Sequence, residues 1–297
     1  MALSEETDRQ ALEAFLMADP AVNLYAIGDL DPTCWGDCVW HGLREEGDPD
    51  GSGGTALRAV ALLYRGLAVP VLQLLADPRD PAAVRAAERL LSLLGEAAVE
   101  RLPAGAFEAH LNPGMDRILR SAGFRVTSRP HLRMAMGAAD LAQFLADPPP
   151  VRGCGGEAQR LTPADAEACM DLCRTLERSW FEPQCLDSGV YYGIYGGGGG
   201  ADGEGGGGGR TLLAMGGTHV ASSDYKVAAL GNVATRATQR RKGYGRVVTR
   251  ALCLALAEEG YETVGLNVTT DNVAAIGMYE SLRFRVVMNF VECDVDR

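Results

Sequence analysis

The chain has 297 residues, 47% of them apolar, which is enough for two ordinary domains with their own cores. A formal net charge of −11 argues against a nucleic-acid partner, because a polyanion would need a broad basic face. The longest apolar candidate, 56–76, is interrupted by Arg58, Arg65, Gly66 and Pro70, so no membrane span is expected. The start "MALSEETDRQ" has no signal-peptide pattern, and the sequence reads as a soluble, cytoplasmic protein.

In the first half, "ALEAFLMAD" carries apolar residues at helical spacing. The spacing Cys34-x3-Cys38-x2-His41 invites a zinc reading, but no second ligand pair completes it, and the eight cysteines are expected to be reduced thiols with no metal. After the polar loop 44–54, "ALRAVALLYRG" and "LAVPVLQLLA" read as strands, and "PAAVRAAERLLSLLG" as a helix with Asp80 as N-cap and Pro81 at its first position.

The proline run in 148–156 marks a linker between residues 1–147 and 157–297. The two parts echo each other. "SAGFRV" at 121–126 and "SLRFRV" at 281–286 lie 160 residues apart, and Asn112 and Asn272 stand at the same offset, each before a short helix. A repeat of this size suggests two domains of one fold.

In the second half, "LTPADAEACMDLCRTL" predicts a helix capped by Thr162 and begun by Pro163. The segment 177–193 holds Trp180, Phe181, Tyr191 and Tyr192, which fit either acceptor recognition or a packing cluster. The glycine-rich stretch 196–209 reads as an insertion without regular structure. Strands are expected at "RTLLAMGGTHV", "KVAALGNVAT", "TVGLNVT" and "FRVVMNFVECD", and helices at "RVVTRALCLALAEEG" and "NVAAIGMYESL".

The stretch "QRRKGYGR" (239–246) lies between an expected strand and an expected helix, within a basic cluster from Arg236 to Arg250. A strand–helix junction gathers free backbone N–H groups and the positive helix end, which suits a phosphate group. Neither G-x-x-x-x-G-K-[ST] nor G-x-G-x-x-G is present; the pattern is R-x-x-G-x-G, formed by Arg240, Gly243 and Gly245.

That pattern, with "LNVTTDN" and "AAIGMYESLRF" downstream, resembles the acyl-CoA-binding motif of the GNAT superfamily of N-acyltransferases over roughly 157–297. The resemblance implies an α/β (α+β) fold of two GNAT-like domains, each a mixed, mostly antiparallel sheet flanked by helices, with the first a degenerate copy. It implies acetyl transfer from acetyl-CoA to an amine of a small molecule or amino acid. A non-catalytic acyl-CoA sensor is the alternative. The cofactor arm would lie in a gap between the strands at 226–235 and 263–269, along Val233, Ala234 and Thr235. Its pyrophosphate would rest on the loop Arg240, Arg241, Lys242, Gly243, Tyr244, Gly245 and Arg246, with Asn272 as a further contact. Tyr279 would be the general acid. Arg283 replaces the family's usual glycine, so the turn there is expected to differ. No acid stands on 226–235, and His219, Asp224, Glu182 or a water chain remain open as the base.

Overall fold

The computed structural model describes residues 5–45, 56–97, 101–151, 156–176, 181–196 and 210–297. The expectations for Trp180, for most of the insertion and for part of the linker lie outside the described residues. No helix among the described residues is long and apolar enough to cross a membrane. The chain divides into two compact units, one formed by 1–134, 268–272 and 286–297, the other by 135–267 and 273–285. The final strand of the second half therefore packs in the unit of the first half, a pairing that the linear division at 148–156 does not anticipate.

In the first unit, α1 (Arg9–Met17), α2 (Pro20–Gly28) and α3 (Pro32–Trp35) are each started by an aspartate. Asp8, Asp19 and Asp31 accept from the N–H groups of Ala11, Val22 and Thr33 at 3.0, 3.2 and 3.0 Å. The sheet comprises β1 (Cys38–Glu45), β2 (Ala56–Tyr64), β3 (Val71–Leu75), β4 (Phe107–Leu111), β5 (Arg125–Met136) and β11 (Arg285–Asp296), in the order β1-β2-β3-β4-β11-β5. β3 and β4 run parallel and are joined through α4 (Pro81–Glu96). As expected, Asp80 caps α4, its Oδ1 accepting from Ala82 N at 2.8 Å. The apolar face of α4, with Ala87, Leu90, Leu91 and Leu94, covers Ala59, Ala61, Leu72, Leu74, Ala109 and Leu111. Cys293 and Val295 of β11 sit in the same core, which anchors the chain's last strand there.

The second unit contains α6 (Ala138–Ala146) and a sheet of β6 (Gln159–Arg160), β7 (Tyr191–Gly196), β8 (Thr211–Ser222), β9 (Val227–Thr235) and β10 (Thr263–Thr269), ordered β10-β9-β8-β7-β6. Thr162 and Asp165 frame the turn into α7 (Ala166–Arg174), the Asp165 carboxylate accepting from Thr162 N at 2.9 Å. A short α8 (Cys185–Ser188) precedes β7. β9 and β10 are parallel and joined through α9 (Tyr244–Glu258), which Gly260 closes in the left-handed region at φ +86°.

The repeat extends to turn geometry. In the first unit α5 (Asp116–Ser121) leads into β5; α10 (Val273–Ser281) of the second leads into β11, so both strands begin 160 residues apart. Phe124 N donates to Leu119 O at 3.1 Å, and Phe284 N donates to Tyr279 O at the same distance. Gly123 has φ +93° and Arg283 φ +73°. The expectation of a different turn is thus corrected: the backbone is the same, and an arginine occupies a left-handed position that costs a non-glycine residue about 1–2 kcal/mol.

Candidate functional site

The β9–α9 junction carries the geometry that the loop sequence suggests. Arg240 is extended, Arg241 is left-handed at φ +62°, and Gly243 is left-handed at φ +88° and ψ −1°. Left-handed residues stand on either side of Lys242, whose φ is not positive, and alternation of left- and right-handed backbone is the pattern from which anion-binding turns are built. Gly243 is the N-cap of α9 and offers no side-chain cap, so the N–H groups of the first turn have no capping oxygen. The contrast with α4 is chemical: there the Asp80 carboxylate already occupies the helix's positive end.

The two glycines have different reasons. Gly243 is required by its φ. Gly245 lies within the helix, where a Cβ would meet Met278 Sδ and Thr235 Oγ1 at 3.5 Å, ordinary contact. The fold itself therefore does not demand glycine at 245. Of the cations, Lys242 donates to Gln239 Oε1 at 2.8 Å, and Arg240 Nε to Thr235 O at 3.4 Å. Arg236 pairs with Asp171 and donates to Leu212 O at 2.7 Å, which assigns it to the fold. Arg246 Nε is buried without a hydrogen-bond partner, whereas Arg250 Nε donates to Pro149 O at 3.0 Å. Tyr244 and Arg246 are half-buried in the first turn.

Strand β9 brings a second feature to the same end of the unit. Its parallel register with β10 runs from Val227↔Thr263 to Leu230↔Leu266 and ends there. On its other edge β9 stays paired with β8 through Ala234↔Met215 and Thr235↔Ala214, with a register shift after Gly217↔Gly231. The shift coincides with Asn232, left-handed at φ +51°. A bulge here bends β9 away from β10, so that Val233, Ala234 and Thr235 have no ladder partner on the β10 side.

Around this bulge lies a polar relay that the sequence did not reveal. Tyr191 is fully buried, and its hydroxyl donates to Thr218 O at 3.3 Å. Asn232 Nδ2 donates to that hydroxyl at 3.2 Å, and Asn232 is hydrogen-bonded to His219. Gly217 and Gly231, opposite each other, leave room for the rings: a Cβ at Gly217 would enter the Tyr191 ring, and one at Gly231 the His219 ring. His219 is crowded by protein yet reachable by solvent, and desolvation holds its pKa below the ordinary value, partly offset by Asn232. Its imidazole is therefore neutral near pH 7.

The other expected residues fall as follows. Tyr279 is the buried residue of α10, its ring edge-on to Phe284 at 5.7 Å. Asn272 is exposed and belongs to the 268–272 segment of the other unit, its N–H donating to Thr269 O at 3.1 Å. Tyr191 as an acceptor contact is corrected: it is a core side chain, with Phe181 packed edge-on at 5.8 Å. Tyr192, on the opposite face of β7, is half-buried under Arg160. Glu182 and Asp224 are exposed, and Asp224 lies in the turn between β8 and β9, before the strand that leads to the bulge. The described cysteines are free thiols. Cys38 donates to the Cys34 and Asp29 carbonyls at 3.2 and 3.5 Å.

Residues 219–293 match a family model described as FR47-like protein. No curated protein matches the chain significantly. Among solved structures, the X-ray structure of a Drosophila protein is similar over 99% of this chain and 98% of its own, with 13% identity and a TM-score of 0.64. A GCN5-related N-acetyltransferase from Sphaerobacter thermophilus is similar over 99% of this chain and 94% of its own, at 14% identity and a TM-score of 0.56. A tandem GNAT protein from the clavulanic acid biosynthesis pathway is similar over 99% and 97%, at 14% identity and 0.54. At these identities the likeness is one of fold, and the chain has the tandem GNAT fold.

Proposed function

We propose that the second half, 157–297, is an acyl-CoA-dependent N-acetyltransferase, with 1–147 a degenerate copy and 148–156 the linker. The observation that carries this reading is the uncapped, left-handed Arg241–Gly243 loop at the end of a strand that has just parted from its parallel neighbour. The N–H groups of Arg241 to Arg246 would hold the pyrophosphate, Arg241, Lys242 and Arg246 would offset its charge, and Val233, Ala234 and Thr235 would pair with the pantetheine arm. Asn272 would add a contact to the cofactor. A backbone N–H freed by the bulge would polarise the thioester carbonyl.

An amine of a small molecule or amino acid attacks the acetyl carbonyl carbon directly. The C–N bond forms, the tetrahedral intermediate collapses with loss of the C–S bond, and Tyr279 gives its proton to the departing thiolate. His219 takes the proton from the amine. Its support is its neutral state, its hydrogen bond to Asn232, which fixes the ring, and its position beside the bulge. Trp180 and Phe181 would flank the acceptor in the cytoplasmic enzyme, whereas Tyr192 lies on the face of β7 away from Phe181.

The test is thiol release from acetyl-CoA across a panel of amines. Turnover with at least one amine is expected, and binding of CoA without turnover on any would leave a sensor instead of an enzyme. For His219, His219→Gln should remove the acid limb of the kcat/KM profile and lower the rate ~10²-fold or more. An unchanged acid limb would exclude it as the base.

A further inference from the structure

Two glycines on the inner strands of the second unit are not explained by their own backbones. Gly217 of β8 and Gly231 of β9 face each other, and neither has a positive φ. What they supply is room for two rings. A Cβ on Gly217 would lie 2.2 Å from the Tyr191 ring, and one on Gly231 would lie 2.0 Å from His219 Cδ2 and 2.2 Å from its Nε2. Tyr191 stands opposite Gly217 in the register of β7 with β8, and His219 follows Gly217 by two residues. Facing residues of an antiparallel pair project to one side, so both rings lie on the same side of the sheet over neighbouring points.

The hydrogen bonds that join these rings have a direction. The Tyr191 hydroxyl donates to the Thr218 carbonyl, which can only accept, at 3.3 Å. With its proton committed there, the hydroxyl oxygen accepts from Asn232 Nδ2 at 3.2 Å. That contact settles which end of the Asn232 amide is nitrogen and leaves Oδ1 to accept from a ring N–H of His219. The bond favours the protonated ring, as an accepting oxygen does, and among the described residues only burial acts against it. Asn232 is left-handed at φ +51°, a conformation that Asn tolerates better than most residues, and the bulge there places it in reach of both rings.

We propose that Tyr191 and Asn232 are positioning residues that select the tautomer of His219. The Thr218 carbonyl fixes the phenol, the phenol fixes the amide, and the amide fixes the imidazole. The proposal rests on the reading of His219 as the base of acetyl transfer. A base needs a nitrogen with its lone pair free, and a ring that exchanged tautomers would present an N–H to the amine part of the time. Held by Asn232, one ring nitrogen keeps its proton while the other receives the proton of the attacking amine, and the imidazolium so formed is stabilised by the same bond. Tyr191 is 0% exposed and acts without meeting the substrate.

Long-range ¹H–¹⁵N NMR spectra of the full chain read the ring state without any substrate, and with only four histidines His219→Gln identifies the His219 signals. Wild type should show one neutral tautomer. Tyr191→Phe releases the amide to flip, so both tautomers should appear, with kcat/KM lowered ~10-fold or more and CoA affinity kept. Asn232→Asp retains an accepting oxygen and a residue that tolerates the left-handed backbone. It should keep the wild-type tautomer, raise the His219 pKa by about 1 or more, and move the acid limb of the kcat/KM profile upward with it. A tautomer mixture in wild type, or the single wild-type tautomer in folded Tyr191→Phe, would overturn the proposal. A pKa that rises in Asn232→Asp while the acid limb stays in place would instead refute His219 as the base and leave the selection of its tautomer standing.

Discussion

Asp29 offers a sharp test of how the first unit is built. Its side chain is buried beneath the sheet, 7% exposed as a residue, and receives one hydrogen bond, from Gln73 Nε2 at 3.2 Å. Burial raises its pKa to about 7, against which the Gln73 bond works only weakly. Between the unfolded value of 3.8 and about 7 the folded chain holds a proton that the unfolded chain has released. Folding stability from this group is therefore full below pH 3.8, declines as pH rises, and is lost above about 7. The accumulated penalty is about 2 kcal/mol at pH 5 and about 4 kcal/mol at pH 8, as an upper bound. Asp29→Asn removes the titration while keeping the shape. Urea unfolding of both proteins at pH 5 and pH 8 should show the variant gaining on wild type by about 2–3 kcal/mol between the two conditions. A stability difference that does not change with pH would mean that Asp29 is not desolvated as the structure has it.

Two further perturbations probe the turn and the catalytic proposal. Arg283→Gly should raise stability by about 1 kcal/mol in thermal melts, because it relieves a left-handed arginine, while Gly123→Ala at the repeat-related position should lower it by a similar amount. The Arg283–Asp147 pair, at 3.8 Å with an 87% exposed aspartate, offsets little. Tyr279→Phe should keep CoA affinity and the ring contact with Phe284 but lower kcat ~10²-fold or more; full turnover in steady-state assays would remove Tyr279 as the acid.

The elements that were legible in the sequence share a local signature. Asp80-Pro81 before a 3.6-residue period marks α4, and the strand-to-helix loop with Gly243 marks the junction of β9 and α9. α2 was not legible because Val22, Asn23, Leu24, Ala26, Ile27 and Gly28 are all buried, leaving no polar face to set a period. For Tyr191 the sequence left acceptor contact and packing both open, although alternation separates it from Tyr192, the first facing the core and the second its opposite. The Tyr191–Asn232–His219 relay depends on a bulge and on two facing glycines, and no spacing in one strand announces either. The place of the last strand is still further from local reading. β11 pairs with β4, 180 to 188 residues upstream, a choice made by the shared core under α4.

The central claim is that the Arg241–Gly243 loop is built for a pyrophosphate. Isothermal titration of CoA into wild type and Gly243→Val, with circular dichroism to establish that the variant is folded, addresses it most directly. The account predicts one-to-one binding to wild type and at least ~10-fold weaker binding to the variant, a drop equivalent to removing one strong backbone hydrogen bond. No CoA binding to wild type, or equal affinity in a folded valine variant, would contradict it.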